Sequence, residues 1–167
     1  MALHIVQLGS PRSADEGLRI GTVRRPPRGV PKVEFASRDY YDVWYPELSP
    51  SAELMALGQA AQHSADAKDW QAFEKAFRKA MAEAPAARTL DVLAALSHHG
   101  QFALGCYCAD EARCHRSILR SLLAERGAAI VPETPDQIRR LFGRYPMYSK
   151  RKKLSKQNNH LFTRRHS

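Results

Sequence analysis

Phe102-Ala103-Leu104-Gly105-Cys106-Tyr107-Cys108 is an apolar run, Ala109-Asp110-Glu111-Ala112-Arg113 is polar, and the next thirteen residues, Cys114 to Arg126, are periodic. The first run has strand character. In the last, Ile118, Leu119, Leu122 and Leu123 recur at helical spacing, and Gly127 supplies a stop. A strand, a short polar turn and an amphipathic helix make the repeating unit of a parallel sheet covered by helices.

The flanking sequence extends the same pattern. Residues 3–8 and 18–23 read as strands, and 40–45 as a strand or extended packing segment. Between them, Arg24-Arg25-Pro26-Pro27-Arg28-Gly29-Val30-Pro31-Lys32 contains three prolines and cannot be a regular element. Ser49 as cap with Pro50 at the first helical position predicts a helix over 52–62. Asp69 is the expected cap of a second helix, in which Trp70, Phe73, Phe77, Ala80 and Met81 form a stripe until Pro85. At that spacing the aromatic stripe reads as core rather than as a binding box. Leu90, Leu93, Ala94 and Leu96 mark a third helix ending at Gly100. Residues 128–131 suit a last short strand, and Thr134-Pro135-Asp136-Gln137 opens a short helix through Phe142. The expected fold is a small layered α/β domain over 1–143, with a largely parallel sheet flanked by helices, followed by a basic C-terminal tail, 144–167.

Composition agrees with one soluble domain. The chain has 167 residues, 44% hydrophobic and 26% charged, with 9 Gly and 10 Pro in no repeating order. That excludes collagen-like and wholly disordered classes, and no apolar run reaches the ~18 residues of a membrane span. The start lacks a basic segment followed by an apolar stretch and a small-residue cleavage site, so no secretory leader is expected. Three cysteines, an odd number, do not make a disulfide framework. A cytoplasmic protein with no membrane partner is the expectation.

All three cysteines fall within Cys106 to Cys114, and four readings of that segment compete. In the first, the start of the helix binds a phosphate through its free N–H groups, Arg116 and His115. In the second, Cys106, Cys108, Cys114 and His115 bind zinc, four ligands being the number a tetrahedral ion needs. Against this, adjacent Cys114 and His115 would diverge by about 100° if both stood on the helix. In the third, Cys108 and Cys114 form a reversible disulfide. In the fourth, the thiols are buried as small hydrophobes. The spacing of arginines after Cys108 does not resemble the phosphatase loop.

The charge is unevenly spread. Of 26 Lys and Arg, eight lie in 144–167 with no acid, leaving 18 against all 17 acids in 1–143. Lys150, Arg151, Lys152, Lys153, Lys156, Arg164 and Arg165, interleaved with aromatic residues, are the candidate nucleic-acid contacts. Within the domain, Arg24, Arg28 and Lys32 lie on a loop after a strand, as do Cys108 to Arg116. Ligands of open parallel sheets collect outside the carboxyl ends of strands, so the two loops are expected to converge on one anion.

The run Arg19-Ile20-Gly21-Thr22-Val23-Arg24-Arg25-Pro26-Pro27-Arg28-Gly29-Val30-Pro31-Lys32 resembles the N-terminal signature of the domain of unknown function 488 family, especially its YeaO-like branch. Asp42-Val43-Trp44-Tyr45-Pro46-Glu47-Leu48-Ser49-Pro50-Ser51 and Trp70-Gln71-Ala72-Phe73 are similar to that branch as well. Cys108 with Cys114-His115-Arg116 resembles a cysteine and Cys-His-Arg motif of the wider family. YeaO-like members often lack that run, so the chain combines features of two branches. The resemblance spans roughly 3–131 and implies a compact α/β domain, but no reaction.

Taken together, these readings point to a nucleic-acid- or nucleotide-associated protein whose partner is a nucleic acid or a phosphorylated small molecule. Its anion site would use Arg24, Arg28, Lys32 and Arg116, and no cofactor is required. If the site is catalytic, Cys114 or Cys108 is the nucleophile, His115 the acid–base group and Arg116 the charge stabiliser. The alternative is a non-catalytic thiol- or metal-responsive interaction protein, with zinc on Cys106, Cys108, Cys114 and His115.

Overall fold

Four parallel strands, β1 (Ala2–Gln7), β2 (Leu18–Gly21), β3 (Val43–Trp44) and β4 (Gln101–Cys106), form one sheet in the order β1-β4-β2-β3. The helices are α1 (Ala52–His63), α2 (Ala67–Met81), α3 (Ala84–Leu96) and α4 (His115–Glu125). The computed structural model describes residues 1–132. The expected helix at 134–142 and the basic tail lie outside the described residues. The α/β class and the parallel sheet are as the sequence predicts.

β4 is central, its register running Leu3↔Phe102 to Gln7↔Cys106 on one side and Leu18↔Phe102 to Gly21↔Gly105 on the other. Two chain segments far apart in sequence therefore finish side by side, β2 at Gly21 and β4 at Cys106. Phe102, Ala103 and Leu104 are buried, because the strand is paired on both edges and covered on its faces. Leu3, Ile5 and Leu104 join Phe73, Phe77, Leu90, Ile118, Leu119 and Leu123 in the main core. The Phe73–Phe77 part of the aromatic stripe is thus core, and Trp70 packs against it. Each such side chain, fully buried, contributes roughly 1.5–3 kcal/mol.

Several boundaries differ from expectation. Ser49 does not cap α1; its hydroxyl donates to the Pro46 carbonyl at 2.6 Å and closes a single 3-10 turn. Ser51 caps instead, accepting from the Leu54 N–H, so Pro50 stays outside the helix. Asp66, not Asp69, caps α2 through the Lys68 N–H, while Asp69 in the first turn accepts from the Ser64 hydroxyl. Pro85, expected as a stop, opens α3 within its first two positions, where its missing N–H costs nothing. The segment 40–45 is extended only briefly, as the two-residue edge strand β3. The strand expected at 128–131 is a single bridge, Leu3↔Ile130. β4 ends at Cys106, two residues before its expected end. Cys114 is the extended N-cap of α4 (φ −129°, ψ 147°), so the helix begins at His115 rather than at Cys114.

Candidate functional site

The site grows from the carboxyl ends of β2 and β4. Thr22, the first residue after β2, is fully buried and donates from both its N–H and its hydroxyl to the Gly105 carbonyl, at 2.9 and 3.0 Å. Gly105 is required there: a Cβ would come within 2.2 Å of the Leu8 side chain. The Thr22 carbonyl then receives the Nε2–H of His115 at 2.8 Å. A carbonyl only accepts, so the imidazole proton is on Nε2 and the Nδ1 lone pair is free. Nδ1 faces the Cys114 sulfur at 3.8 Å. Burial drives the His115 pKa down to about 4 despite that carbonyl, so the ring is neutral near pH 7.

The three thiols are free and gather around this ring. Cys106, Cys114 and His115 place one sulfur or nitrogen atom each within 4.8 Å of one another, all buried. The expected divergence of Cys114 and His115 does not occur, because Cys114 is in extended backbone and only His115 is helical. Cys108, half-buried, lies with its sulfur 3.7 Å from that of Cys106. Gln62, at the end of α1, donates to the Arg113 carbonyl at 2.6 Å and to the Cys108 sulfur at 3.6 Å. Hydrogen bonds from Cys106 and Cys114, then Gln62, hold the Cys108 thiol well below its ordinary pKa against the opposing effect of burial. As donors in that cluster, Cys106 and Cys114 are raised and stay protonated.

Above the thiols lies a cavity of about 490 Å³, lined by Arg24, Arg25 and Arg28 on one wall and by Cys106, Cys108 and His115 on another. Met55, Phe73, Tyr40 and Tyr107 add apolar surface. Trp44 donates its indole N–H to the Val23 carbonyl at 2.7 Å, and the Tyr107 hydroxyl donates to the Arg25 carbonyl at 3.3 Å. Both bonds hold the start of the basic loop. Arg24, Arg25 and Arg28 are exposed, and among the described residues no acid pairs with them.

Of the expected site residues, then, Arg24, Arg28, Cys106, Cys108 and His115 share one cavity. Cys114 stands behind it, fully buried. Two expected anion ligands are elsewhere. Lys32 lines a separate cavity with Val33, Phe35 and Trp44, because the chain turns into a 3-10 helix at Lys32–Glu34. Arg116 is 3% exposed and does not line the cavity; its Nη2 donates to the Ala109 carbonyl at 3.2 Å. Lys150, Arg151, Lys152, Lys153, Lys156, Arg164 and Arg165 lie outside the described residues. Thr22, Gln62, Trp44 and Tyr107, which position the site, carry no sequence signal as ligands. Only their polar atoms in otherwise apolar or helical segments hinted at a partner.

The fold and site define a small parallel α/β protein with a thiol–imidazole cluster at the strand ends, roofed by an arginine loop. A family model described as "Active DUF488-N3 subclade" matches residues 3–127, and the chain belongs to this DUF488-N3a family. No curated protein and no solved structure matches the chain. Among the described residues no helix is long and apolar enough to cross a membrane.

Proposed function

We propose that the cavity binds a phosphorylated small molecule of nucleotide size, its phosphate on Arg24, Arg25 and Arg28 and its planar or apolar part between Tyr40, Tyr107 and Met55. One observation carries the reading: three unpaired guanidinium groups and an apolar, aromatic-lined interior border the same space. At about 490 Å³ that space has the volume of a small-molecule pocket. Guanidinium groups suit phosphate because their N–H forks match its oxygens. Trp44 and Tyr107 hold the start of the loop, which lowers the ordering entropy lost there when an anion binds. The description of the matched subclade as active supports treating the cavity as a working site.

Calorimetric titration of the full chain with nucleoside monophosphates, unphosphorylated nucleosides and inorganic phosphate tests this. A nucleotide should bind more tightly than either fragment. Arg24→Gln and Arg28→Gln should each weaken it by about 10-fold or more, since a hydrogen bond to a charged group is worth ~1.5–3 kcal/mol. Arg126→Gln, on the opposite end of α4, should not. Absence of nucleotide binding at millimolar concentration, or equal affinity in the arginine variants, would overturn the reading.

A further inference from the structure

We propose that Cys106, Cys108, Cys114 and His115 form a structural zinc site beneath the cavity, with Arg116 as its charge partner. The inference stands independently of the nucleotide reading.

Geometry comes first. Zinc–sulfur bonds of ~2.3 Å and zinc–nitrogen bonds of ~2.0–2.1 Å at tetrahedral angles put ligand atoms roughly 3.6–3.8 Å apart. The Cys106 and Cys108 sulfurs are 3.7 Å apart, and the Cys114 sulfur is 3.8 Å from His115 Nδ1. Cys106, Cys114 and His115 already meet within 4.8 Å. Cys108, the least buried of the thiols, closes the fourth position from the cavity side.

Orientation is the second argument. A ligating histidine almost always donates its other ring N–H to a carbonyl or carboxylate, which fixes tautomer and ring angle. His115 does this to Thr22, leaving the Nδ1 lone pair among the sulfurs. Phe77 stacks edge-on against the ring at 5.6 Å, so it has little room to turn.

Charge is the third. Zinc binding releases to solvent the protons that Cys106 and Cys114 carry, and three thiolates on one Zn²⁺ leave a net charge of minus one. Arg116 follows His115 directly, is 3% exposed, and has Nε and Nη1 buried without a hydrogen-bond partner. A buried guanidinium with two orphan donors is costly alone and favourable beside an anionic cluster. Three thiolates and one imidazole also form a donor set suited to zinc rather than to magnesium or calcium.

The test uses the full chain, purified in a thiol-free reductant, loaded with Zn²⁺ and desalted without nucleotide. Elemental analysis should find one zinc per chain, and the thiols should resist titration until a chelator is added. With Co²⁺ in place of zinc, a thiolate-to-cobalt charge-transfer band should appear and lose about a third of its intensity in Cys108→Ser. Cys114→Ser and His115→Ala should lower zinc affinity at least ~100-fold, beyond the 10–100-fold typical of outer-shell changes. Arg116→Met should weaken it while leaving the band shape unchanged. Arg126→Gln, at the far end of α4 and paired with Asp91, should match the parent. Because Cys114 and His115 are buried, far-UV circular dichroism checks that those variants fold, and Cys108→Ser provides a test on a loop residue. Zinc well below one per chain, or an undiminished cobalt band in Cys108→Ser, would overturn the proposal. The nucleotide titration would be unaffected by either result.

Discussion

Replacing Glu16 by Ala should be among the most destabilising single changes in the domain. Arg19, in β2, is fully buried, and Glu16 is 3% exposed. The pair is bidentate, Nε to Oε1 at 2.5 Å and Nη2 to Oε2 at 2.8 Å. The remaining nitrogen, Nη1, donates to the Ser10 carbonyl at 2.9 Å and to the Asp39 carbonyl. One side chain thus ties together the β1–β2 loop, the segment leading to β3 and β2 itself. Removing the carboxylate leaves a buried positive charge with two unpaired N–H groups, a loss of ~3–5 kcal/mol. That is a large share of a total stability of roughly 5–15 kcal/mol. For a chain of this size, at about 2–4 °C per kcal/mol, the midpoint of thermal unfolding should fall by roughly 10 °C.

Glu16→Gln keeps an acceptor oxygen and should lose less. The double variant Glu16→Leu with Arg19→Met removes both charges and should be more stable than Glu16→Ala, because the cost lies in the stranded guanidinium. Urea unfolding followed by circular dichroism measures all three. A Glu16→Ala loss under about 1 kcal/mol, or a double variant no better than the single one, would refute the reasoning.

Asp42 accepts from the Arg19 N–H and from both terminal nitrogens of Arg12. Burial pushes its pKa up, but the Arg12 and Arg19 hydrogen bonds outweigh this and the net shift is downward. A lowered carboxylate stabilises the fold above its unfolded pKa of ~3.9 and loses that contribution as pH falls through the folded value. Asp42→Asn should therefore lose about 1–2 kcal/mol at pH 7 and show a flatter stability profile below pH 4 in acid titration. Gly21→Ala would drive a Cβ to 2.4 Å from the Tyr41 ring at the end of β2. A loss of ~1–3 kcal/mol in urea unfolding is expected, and a neutral result would mean that Tyr41 moves freely. Deleting 147–167 removes seven of the eight basic residues of the tail. In gel shifts at low salt, weak sequence-independent DNA or RNA binding should largely disappear, and equal retention by both forms would exclude the tail as the contact.

Elements were legible where hydrophobic period decides them, as in α2, α4 and β4. Their ends were not, because caps are chosen between near-equivalent residues by contacts made elsewhere. Ser49 and Ser51 are equally good caps in isolation, and the bond to Pro46 takes one out of use. The same distinction governs the site. That the basic loop and the thiols both follow strands is written in the sequence; that those strands are neighbours is not. The hydrogen bond from Thr22 to Gly105 spans 83 residues, and His115 reaches Thr22 across 93. Arg116 illustrates the converse: one position beyond His115 on a helix turns its side chain toward Ala109 and away from the cavity. Convergence of Cys114 with His115 depended on one residue's backbone, extended at the cap instead of helical. Strand order thus supplies what residue spacing lacked, and the arginines and thiols line one cavity because β2 and β4 are neighbours in the sheet.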